Sequence, residues 1–452
     1  MATIAKLDDD VAKSVRGHPA GLAVLSATEL AERFSYYGMT SLLALYMVKQ
    51  LLLPGHAEQV IGLTALRNLF EFRGPMPDQA FASLIYGWYG GLVYFTPILG
   101  GWIADRFIGT RSAVILGALL MAGGHLAMAS DATFLIALLL LITGSGFLKG
   151  NISAQVGLLY PPTSESLRER GYAIYSTGIN IGAVIGPLAT GAAAKIYGWH
   201  AGFTLAAGLM LVALGVYLAG QKHLPDRRPK RSERQRLPAM TAEERRRTWA
   251  IVSLIALNIP AAISYTMIWN VGIVWIDEKV GLGPVPASWF NSVDSFASVV
   301  IAPLLVALWA WQARRDVEPG ALSKLAIGFA ITGGSALLFT IGCWIAGPDS
   351  KVSVLWALLG FFGMGVGFMW YWPVSLATIS KSAPAKVNST LMGASFLCLF
   401  FGTVLMGWVG SFYEEMSNTA FWTLDAGIAF AGALLIALLR KSLERTLGLC
   451  AA

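Results

Sequence analysis

An apolar stretch near the start of the chain carries three ionisable side chains, Glu29, Glu32 and Arg33, followed by Tyr36 and Tyr37. In a helix these five positions lie on one stripe, and Glu29 stands one turn before Arg33. A structural ion pair needs one acid and one base, whereas this stripe has two acids and one base. The surplus carboxylate predicts binding of a proton or a second cation, with a buried structural ion pair as the alternative.

The same stretch is apolar enough to cross a membrane. Each ionised residue at the centre of such a helix costs roughly 2.5–3.5 kcal/mol on insertion scales, so three cost on the order of 8–10 kcal/mol. Side chains of this kind are tolerated where they face a water-filled cavity or one another. We therefore expect the first helix to line a polar cavity.

Further polar side chains interrupt later apolar stretches. Lys149, in the fourth, is the expected counter-charge for the surplus carboxylate, with snorkelling to the membrane surface as the alternative. Asn180 lies in the fifth, and Tyr89 falls inside the second, where it could line a cavity. Asp294, in the eighth, has no partner nearby in the sequence and is expected to be a proton site or a gate residue. Asp425, towards the outer half of the last stretch, is expected at the membrane interface.

The composition excludes several classes of protein. Charged residues make up 13% of the chain and apolar residues 56%, whereas soluble domains carry about twice that charge fraction. The net charge of +7 arises from basic residues that lie mostly in the loops between apolar stretches, so no nucleic-acid partner is expected. Three scattered cysteines and five histidines show no metal-ligand spacing, and no phosphate-binding loop motif occurs. We expect neither a metal nor a cofactor.

Twelve membrane helices are predicted, since about 20 apolar residues cross a bilayer core of about 30 Å. They lie near residues 21–51, 81–104, 112–130, 133–159, 172–194, 201–220, 249–276, 286–311, 322–346, 352–379, 388–412 and 419–439. The fold class is all-α integral membrane, in two six-helix bundles. We predict an N-terminal bundle over 1–220, a basic cytoplasmic linker over 221–248 and a C-terminal bundle over 249–452.

The charge of the loops predicts their orientation. Alternate loops are rich in lysine and arginine, and by the positive-inside rule they face the cytoplasm. These loops are 105–111, 161–171, 221–248, 312–321, 380–387 and 440–446. Both termini are then cytoplasmic, in a bacterial inner membrane, and the basic linker contacts anionic lipid headgroups. No signal-peptide segment precedes the first span, so we expect that span to direct insertion itself.

The string Glu29-x-x-Glu32-Arg33-Phe34-x-Tyr36-Tyr37-Gly38 matches the E-x-x-E-R-F-x-Y-Y-G motif of proton-coupled oligopeptide transporters at every specified position. Residues 100–111 resemble the loop motif of the major facilitator superfamily in the form that this family uses. Residues 147–151 and 178–183 resemble its fourth-helix and fifth-helix segments. The chain is therefore identified as resembling this family over its whole length, most sharply in its first half.

The resemblance implies roles for individual residues and a major facilitator fold. It assigns proton coupling to Glu29, Glu32, Arg33 and Lys149, and the peptide carboxylate to Lys149. Positions that line the substrate pocket in the family correspond here to Tyr36, Tyr37, Tyr89 and Asn180.

Departures from the family pattern lie mainly in the second half. Thr266 stands where the seventh-helix acid is common, Phe368 where a peptide-amine-binding glutamate is usual, and Asp294 where an asparagine lines the pocket. We expect Asp294 either to bind the peptide ammonium or to form an outer gate with His56. Either role places an acid opposite Arg33 and Lys149, as a peptide zwitterion requires.

The predicted function is proton-driven import of di- and tripeptides by alternating access, by a monomer. A carrier of another solute, such as nitrate or another anion, or an exporter, is the alternative that the altered second half leaves open. A membrane-embedded enzyme is the remaining one, and no nucleophile–base constellation supports it. The chain is therefore expected not to be an enzyme.

Overall fold

The computed structural model describes residues 17–72, 74–161, 164–225 and 240–449. Over these ranges the chain is helical apart from turns, and no strand forms there beyond an isolated bridge between Val280 and Val352. Residues 226–239, which hold most of the predicted linker, and the two chain ends predicted to be cytoplasmic (1–16 and 450–452) lie outside the described residues.

The helices that precede residue 225 are α1 (Ala20–Tyr46), α2 (Leu63–Phe70), α3 (Asp78–Ile103), α4 (Thr110–Ala127), α5 (Phe134–Leu158), α6 (Glu165–Tyr197) and α7 (Trp199–Gly220). Those that follow residue 240 are α8 (Ala242–Leu257), α9 (Ile259–Met267), α10 (Val271–Lys279), α11 (Phe290–Ala313), α12 (Ala321–Ala346), α13 (Val354–Ser382), α14 (Asn388–Ser395), α15 (Leu397–Gly410) and α16 (Asn418–Leu447). Short π-helical turns extend α1 and α3 at Met47–Leu51 and Ala104–Ile108.

Ten segments of the described chain are long and apolar enough to cross a membrane, with α8–α10 counted as one segment and α14–α15 as another. The helices α1 and α3, of 27 and 26 residues, are long enough as well, because each residue adds about 1.5 Å. They bring the number to the predicted twelve. The prediction of an all-α membrane fold is confirmed.

Several features of the helices were not predicted, among them breaks between α8 and α9 and between α14 and α15. The loop after α1 contains the short helix α2, and the seventh span is interrupted at residues 268–270, between α9 and α10. At the interruption Asn270 leaves the helical conformation, with φ −110° and ψ −94°. Its side-chain amide donates to Ser83 Oγ over 2.6 Å. At the break, the buried side-chain amide of Asn270 therefore binds Ser83, a residue far away in the sequence.

The described chain divides into two compact units. The first comprises residues up to 72 together with 95–225, and the second comprises residues 74–94 together with 240–449. The helix α3 contributes to both, because its residues up to Tyr94 belong to the second unit and those from Phe95 onwards to the first.

In the first unit, α1 and α6 pack backbone against backbone. A Cβ atom added at Gly182 would lie 2.6 Å from the carbonyl oxygen of Leu30 and 2.8 Å from Arg33 Cβ. At Gly186 it would lie 2.5 Å from the carbonyl oxygen of Phe34. Small residues permit such close approach between membrane helices. This contact fixes the face of α1 that carries the charged stripe.

In the second unit, the first half of α3 packs closely on α15. A Cβ atom added at Gly87 would lie 2.8 Å from Gly407 Cα and 3.0 Å from the carbonyl oxygen of Thr403. Gly90 also faces Thr403, and Gln79 donates to the carbonyl oxygen of Gly410 over 3.3 Å. The two helices therefore approach closely along several turns, with direct backbone contact at Gly87.

Candidate functional site

The charged stripe of α1 is buried in the first unit. Arg33 Nε lies 3.1 Å from Glu29 Oε1 and also contacts Glu32 Oε2, and all three side chains are at least nine-tenths buried. Among the described residues, Glu29 Oε2, Glu32 Oε1 and Arg33 Nη2 have no hydrogen-bond partner. One guanidinium thus holds two carboxylates and keeps a further donor, as the predicted surplus of acid requires.

Lys149 of α5 completes this group of charges. Its Nζ lies 4.1 Å from the centroid of the Tyr36 ring and within electrostatic range of Glu29, Glu32 and Arg33. Arg33 also lies over the Tyr36 ring, 5.2 Å from the centroid. Cations are attracted to the face of an aromatic ring. Tyr36 therefore positions both basic side chains, and the structure brings the predicted Lys149 into the same group as the stripe.

Further residues of the first unit border this group. The hydroxyl of Tyr175 of α6 lies 3.3 Å from Ser153 Oγ and close to the Glu29 carboxylate. The ring of Tyr37 packs edge-on against that of Tyr36 and is partly exposed. Asn180, predicted to line the pocket, has an exposed side chain on α6. Of these bordering residues, Tyr175 is the one to which no role was assigned from the sequence.

Two acids and two bases therefore share one buried site, and their formal charges sum to zero when all four are ionised. A proton added to either carboxylate leaves the group with a net positive charge. In a medium of low dielectric constant, such a charge attracts an anion more strongly than it would in water. The arrangement can thus bind a proton and an anionic group together.

The second unit contains Asp294 and Tyr89, both fully or almost fully buried. Tyr265 of α9 donates to Asp294 Oδ2 over 2.9 Å, and its ring stacks on Phe368 of α13 with centroids 4.5 Å apart. The hydroxyl of Thr266 donates to the carbonyl of Ala262 in its own helix. Tyr265, which no motif or charge pattern had singled out, is thus a direct partner of the acid.

His56 lies in the first unit and contacts another acid there. Its Nδ1 is 2.6 Å from Asp131 Oδ2, and His200 Nε2 is 3.1 Å from Asp131 Oδ1. Tyr46 and Gln50 donate to the same carboxylate. The members of this cluster bind one another, and no group of histidine, cysteine or acidic residues in the described ranges is arranged to hold a metal ion. The gate proposed for His56 with Asp294 stays a prediction.

The expectation that Asp425 lies at the membrane interface stays a prediction. The side chain is completely buried within the second unit. The backbone carbonyl of Asp425 accepts a hydrogen bond from Ser264 Oγ over 2.9 Å. Its position in α16, within the packed face towards α9, explains the burial, and position along the chain gave no information on which face of the helix it occupies.

Comparison with known proteins agrees with this geometry. A model of the Major Facilitator Superfamily matches residues 25–407. A di-/tripeptide transporter of Lactococcus lactis subsp. cremoris is 27% identical, over 96% of this chain and 98% of its own length. A peptide transporter of Yersinia enterocolitica is 25% identical, over 96% of both chains.

Solved structures give the same result. The crystal structure of peptide transporter POT in complex with sulfate matches at a TM-score of 0.83 and 26% identity, over 96% of each chain. A mutant of POT in complex with alafosfalin matches at 0.84 and 26% identity, over 97% of this chain and 99% of that one. The resemblance drawn from the α1 motif is confirmed, and these relatives are transporters rather than enzymes. The chain belongs to the Major Facilitator Superfamily and shares the fold of its peptide transporters.

Proposed function

We propose that the chain imports di- and tripeptides together with protons, by alternating access, as a multi-pass protein of the bacterial inner membrane. The observation that carries the proposal is the buried group of Glu29, Glu32, Arg33 and Lys149. Its charges balance, and it keeps both a carboxylate oxygen and a guanidinium nitrogen without a partner among the described residues. The names of the relatives in Lactococcus and Yersinia support peptide as the substrate.

Coupling follows from the charge balance of this group. Protonation of Glu29 or Glu32 leaves a net positive charge, which favours binding of the carboxylate of a peptide at Lys149 and Arg33. By linkage, a bound carboxylate raises the affinity of the group for the proton by the same factor. A membrane potential of 100 mV contributes about 2.3 kcal/mol per proton, so no ATP is required.

The other end of the peptide needs a negative or polar partner. Asp294 is the candidate for the ammonium group, and the stack of Tyr265 on Phe368 lies beside it. Tyr36, Tyr37, Tyr89 and Asn180 stay in the proposal as substrate-binding residues. A gate formed by Asp294 with His56 is the alternative.

The proposed organisation keeps the six-plus-six division, with bundles over 1–220 and 249–452, a basic linker that contacts lipid headgroups, and cytoplasmic termini. We propose that the chain acts as a monomer. A different solute, such as nitrate, remains the second candidate because Thr266 and Phe368 replace two acids of the family pattern.

The test is uptake into liposomes with and without an imposed proton gradient. Wild type should accumulate a labelled dipeptide only with the gradient, and unlabelled dipeptides should compete where nitrate does not. Glu32→Gln should abolish driven accumulation, because the neutral amide cannot release a proton, while exchange of peptide across the membrane survives. Full driven accumulation by this variant would refute the role.

The chain offers a matched control for this variant. Glu169→Gln removes an exposed carboxylate at the start of α6 by the same change of one atom. It should leave both driven uptake and exchange at the wild-type level. A loss shared by both variants would point to surface charge rather than to the buried group.

A further inference from the structure

A second buried carboxylate stands apart from the group just described. Asp425 of α16 has no exposed surface, and neither of its side-chain oxygens has a hydrogen-bond partner among the described residues. No ion pair within those residues includes it, and Trp422, one turn earlier, also has a buried indole nitrogen without a partner. An ionised carboxylate in such surroundings is far less stable than the neutral acid.

The helix α9 contacts both Asp425 and Asp294. Ser264 of α9 donates to the backbone carbonyl of Asp425, and the next residue, Tyr265, donates to the carboxylate of Asp294. Consecutive residues of α9 thus contact two buried acids, one on α16 and one on α11. Three residues after Ser264 the helix ends, at the interruption of the seventh span. Interrupted membrane helices are typical of transporter binding sites and of the elements that move.

Within the described ranges, Asp425 forms no ion pair, and no charged group acts on its carboxyl. Its polar neighbour on α9 is Ser264, which does not titrate near neutral pH, and Tyr265 on the same helix is engaged by Asp294. Loss of the proton from Asp425 would therefore require α9 or α16 to move, so that the charge gains a partner or water. Protonation and the position of α9 are linked by this requirement.

We infer that Asp425 is a second proton-binding site of the transporter, occupied by a proton in the conformation described and emptied when α9 moves. The inference rests on the proposed function, since it assigns this proton to the transport cycle. The proton is a ligand of the second unit, and it is distinct from the one bound at Glu29 or Glu32. Its release would act on Asp294 through Ser264 and Tyr265.

The experiment compares wild type with Asp425→Asn in liposomes. The asparagine resembles the protonated acid in shape but cannot titrate, so peptide binding and exchange should persist. The ratio of protons to peptide, measured from the gradient at which net flux stops, should fall by one. The dependence of driven uptake on pH should show one titrating group fewer than in wild type. Asp425→Glu should restore both, and Thr423→Ala, an exposed change on the same helix, should alter neither.

An unchanged ratio together with an unchanged pH profile in Asp425→Asn would overturn the inference. Should that variant fail to fold, the wild-type protein provides the answer by itself. An apolar carbodiimide reacts with protonated carboxylic acids, and mass spectrometry locates the adduct. Labelling of Asp425 that falls as the pH rises supports the inference, whereas labelling independent of pH, or none where driven uptake is maximal, overturns it.

Failure of the two proposals can be told apart. Absence of any proton-driven dipeptide uptake by wild type would refute the proposed function. Normal driven uptake by wild type, combined with a wild-type proton ratio in Asp425→Asn, would refute the second proton site alone.

Discussion

The close contact between α3 and α15 predicts that a single added methyl group, at Gly87, will force the two helices apart. Substitution of Gly87 by alanine would place a Cβ atom 2.8 Å from Gly407 Cα, 3.0 Å from the carbonyl oxygen of Thr403 and 3.1 Å from the nitrogen of Gly407. All three atoms belong to the backbone of α15, so no side-chain rotation can relieve the overlap. The helices would have to separate.

The size of the effect follows from these distances. Carbon atoms in ordinary contact lie about 3.5–4.0 Å apart, so α3 and α15 would have to part by about 0.7 Å or more. Overpacking of this kind costs about 1–3 kcal/mol. If the contact exists in one state of an alternating transporter and not in the other, that cost shifts the equilibrium between the states about 5–150-fold away from the packed state.

Ser83, one turn before Gly87, reports on the contact, because it is buried there and its hydroxyl accepts from Asn270. A cysteine at position 83, in a background without the native cysteines, should react with a membrane-impermeant maleimide only when the contact opens. Adding Gly87→Ala should raise the rate of labelling by a factor in the stated range. Gly101→Ala, on the same helix, meets no atom within 4 Å and should leave the rate unchanged.

A labelling rate that is the same with Gly87→Ala, with Gly101→Ala and with neither, at equal folded yield, would refute the reasoning. It would mean that opening of the contact between α3 and α15 is no part of the conformational change. Slower labelling with Gly87→Ala would refute it more strongly, since the added methyl would then stabilise the packed state.

Three other predictions concern single charges. Lys149→Ala should raise the Kd for dipeptides roughly 10–100-fold, as expected for loss of a hydrogen bond to a charged group, and a loss seen only in melting temperature would make the lysine structural. Asp294→Asn should weaken binding of free peptides but spare N-acetylated ones, whereas equal loss of driven uptake for both forms would favour the gate. Partial burial raises the pKa of the Glu414 carboxyl, and the negative charges of Glu278 and Asp78 raise it further. An acid with a raised folded-state pKa binds more protons in the native state, so stability falls as the pH rises above the unfolded-state pKa. Glu414→Gln should therefore melt higher than wild type at pH 7 and lose that advantage at about pH 4, and equal melting at both pH values would contradict this.

Much of the fold could be predicted because hydropathy acts locally. Most span boundaries were found within a few residues, although α6 and α8 begin seven residues earlier than predicted and α16 ends eight residues later. The pairing of Glu29 with Arg33 follows from their spacing of one helical turn. The position of Lys149 near this pair also agrees with the prediction, because a buried base needs nearby acids. The spans and the Glu29–Arg33 pair depend on residue type and on spacing along a single helix, and the Lys149 contact depends on complementary charge.

The features that were missed depend on contacts between residues far apart in the sequence. The interruption at Asn270 lies in a continuous apolar run, and its partner, Ser83, is 187 positions away. Asp131 looked like an ordinary loop acid, although His56 and His200 both contact it. Whether Asp425 was buried or exposed depended on the rotation of α16, which hydropathy alone does not determine.

The Asp131 cluster has a consequence for how the protein is made. Its members Tyr46, His56, Asp131 and His200 come from segments that enter the membrane one after another during translation, and His200 is synthesised 69 residues after Asp131. At a translation rate of about 5–20 residues per second, His200 is synthesised roughly 3–14 s after Asp131. The cluster is complete once the ribosome has delivered the start of the sixth span, before any residue of α8–α16 exists. These ends of the first helices can therefore be held together by their contacts with Asp131 while more than half of the chain is still to be translated.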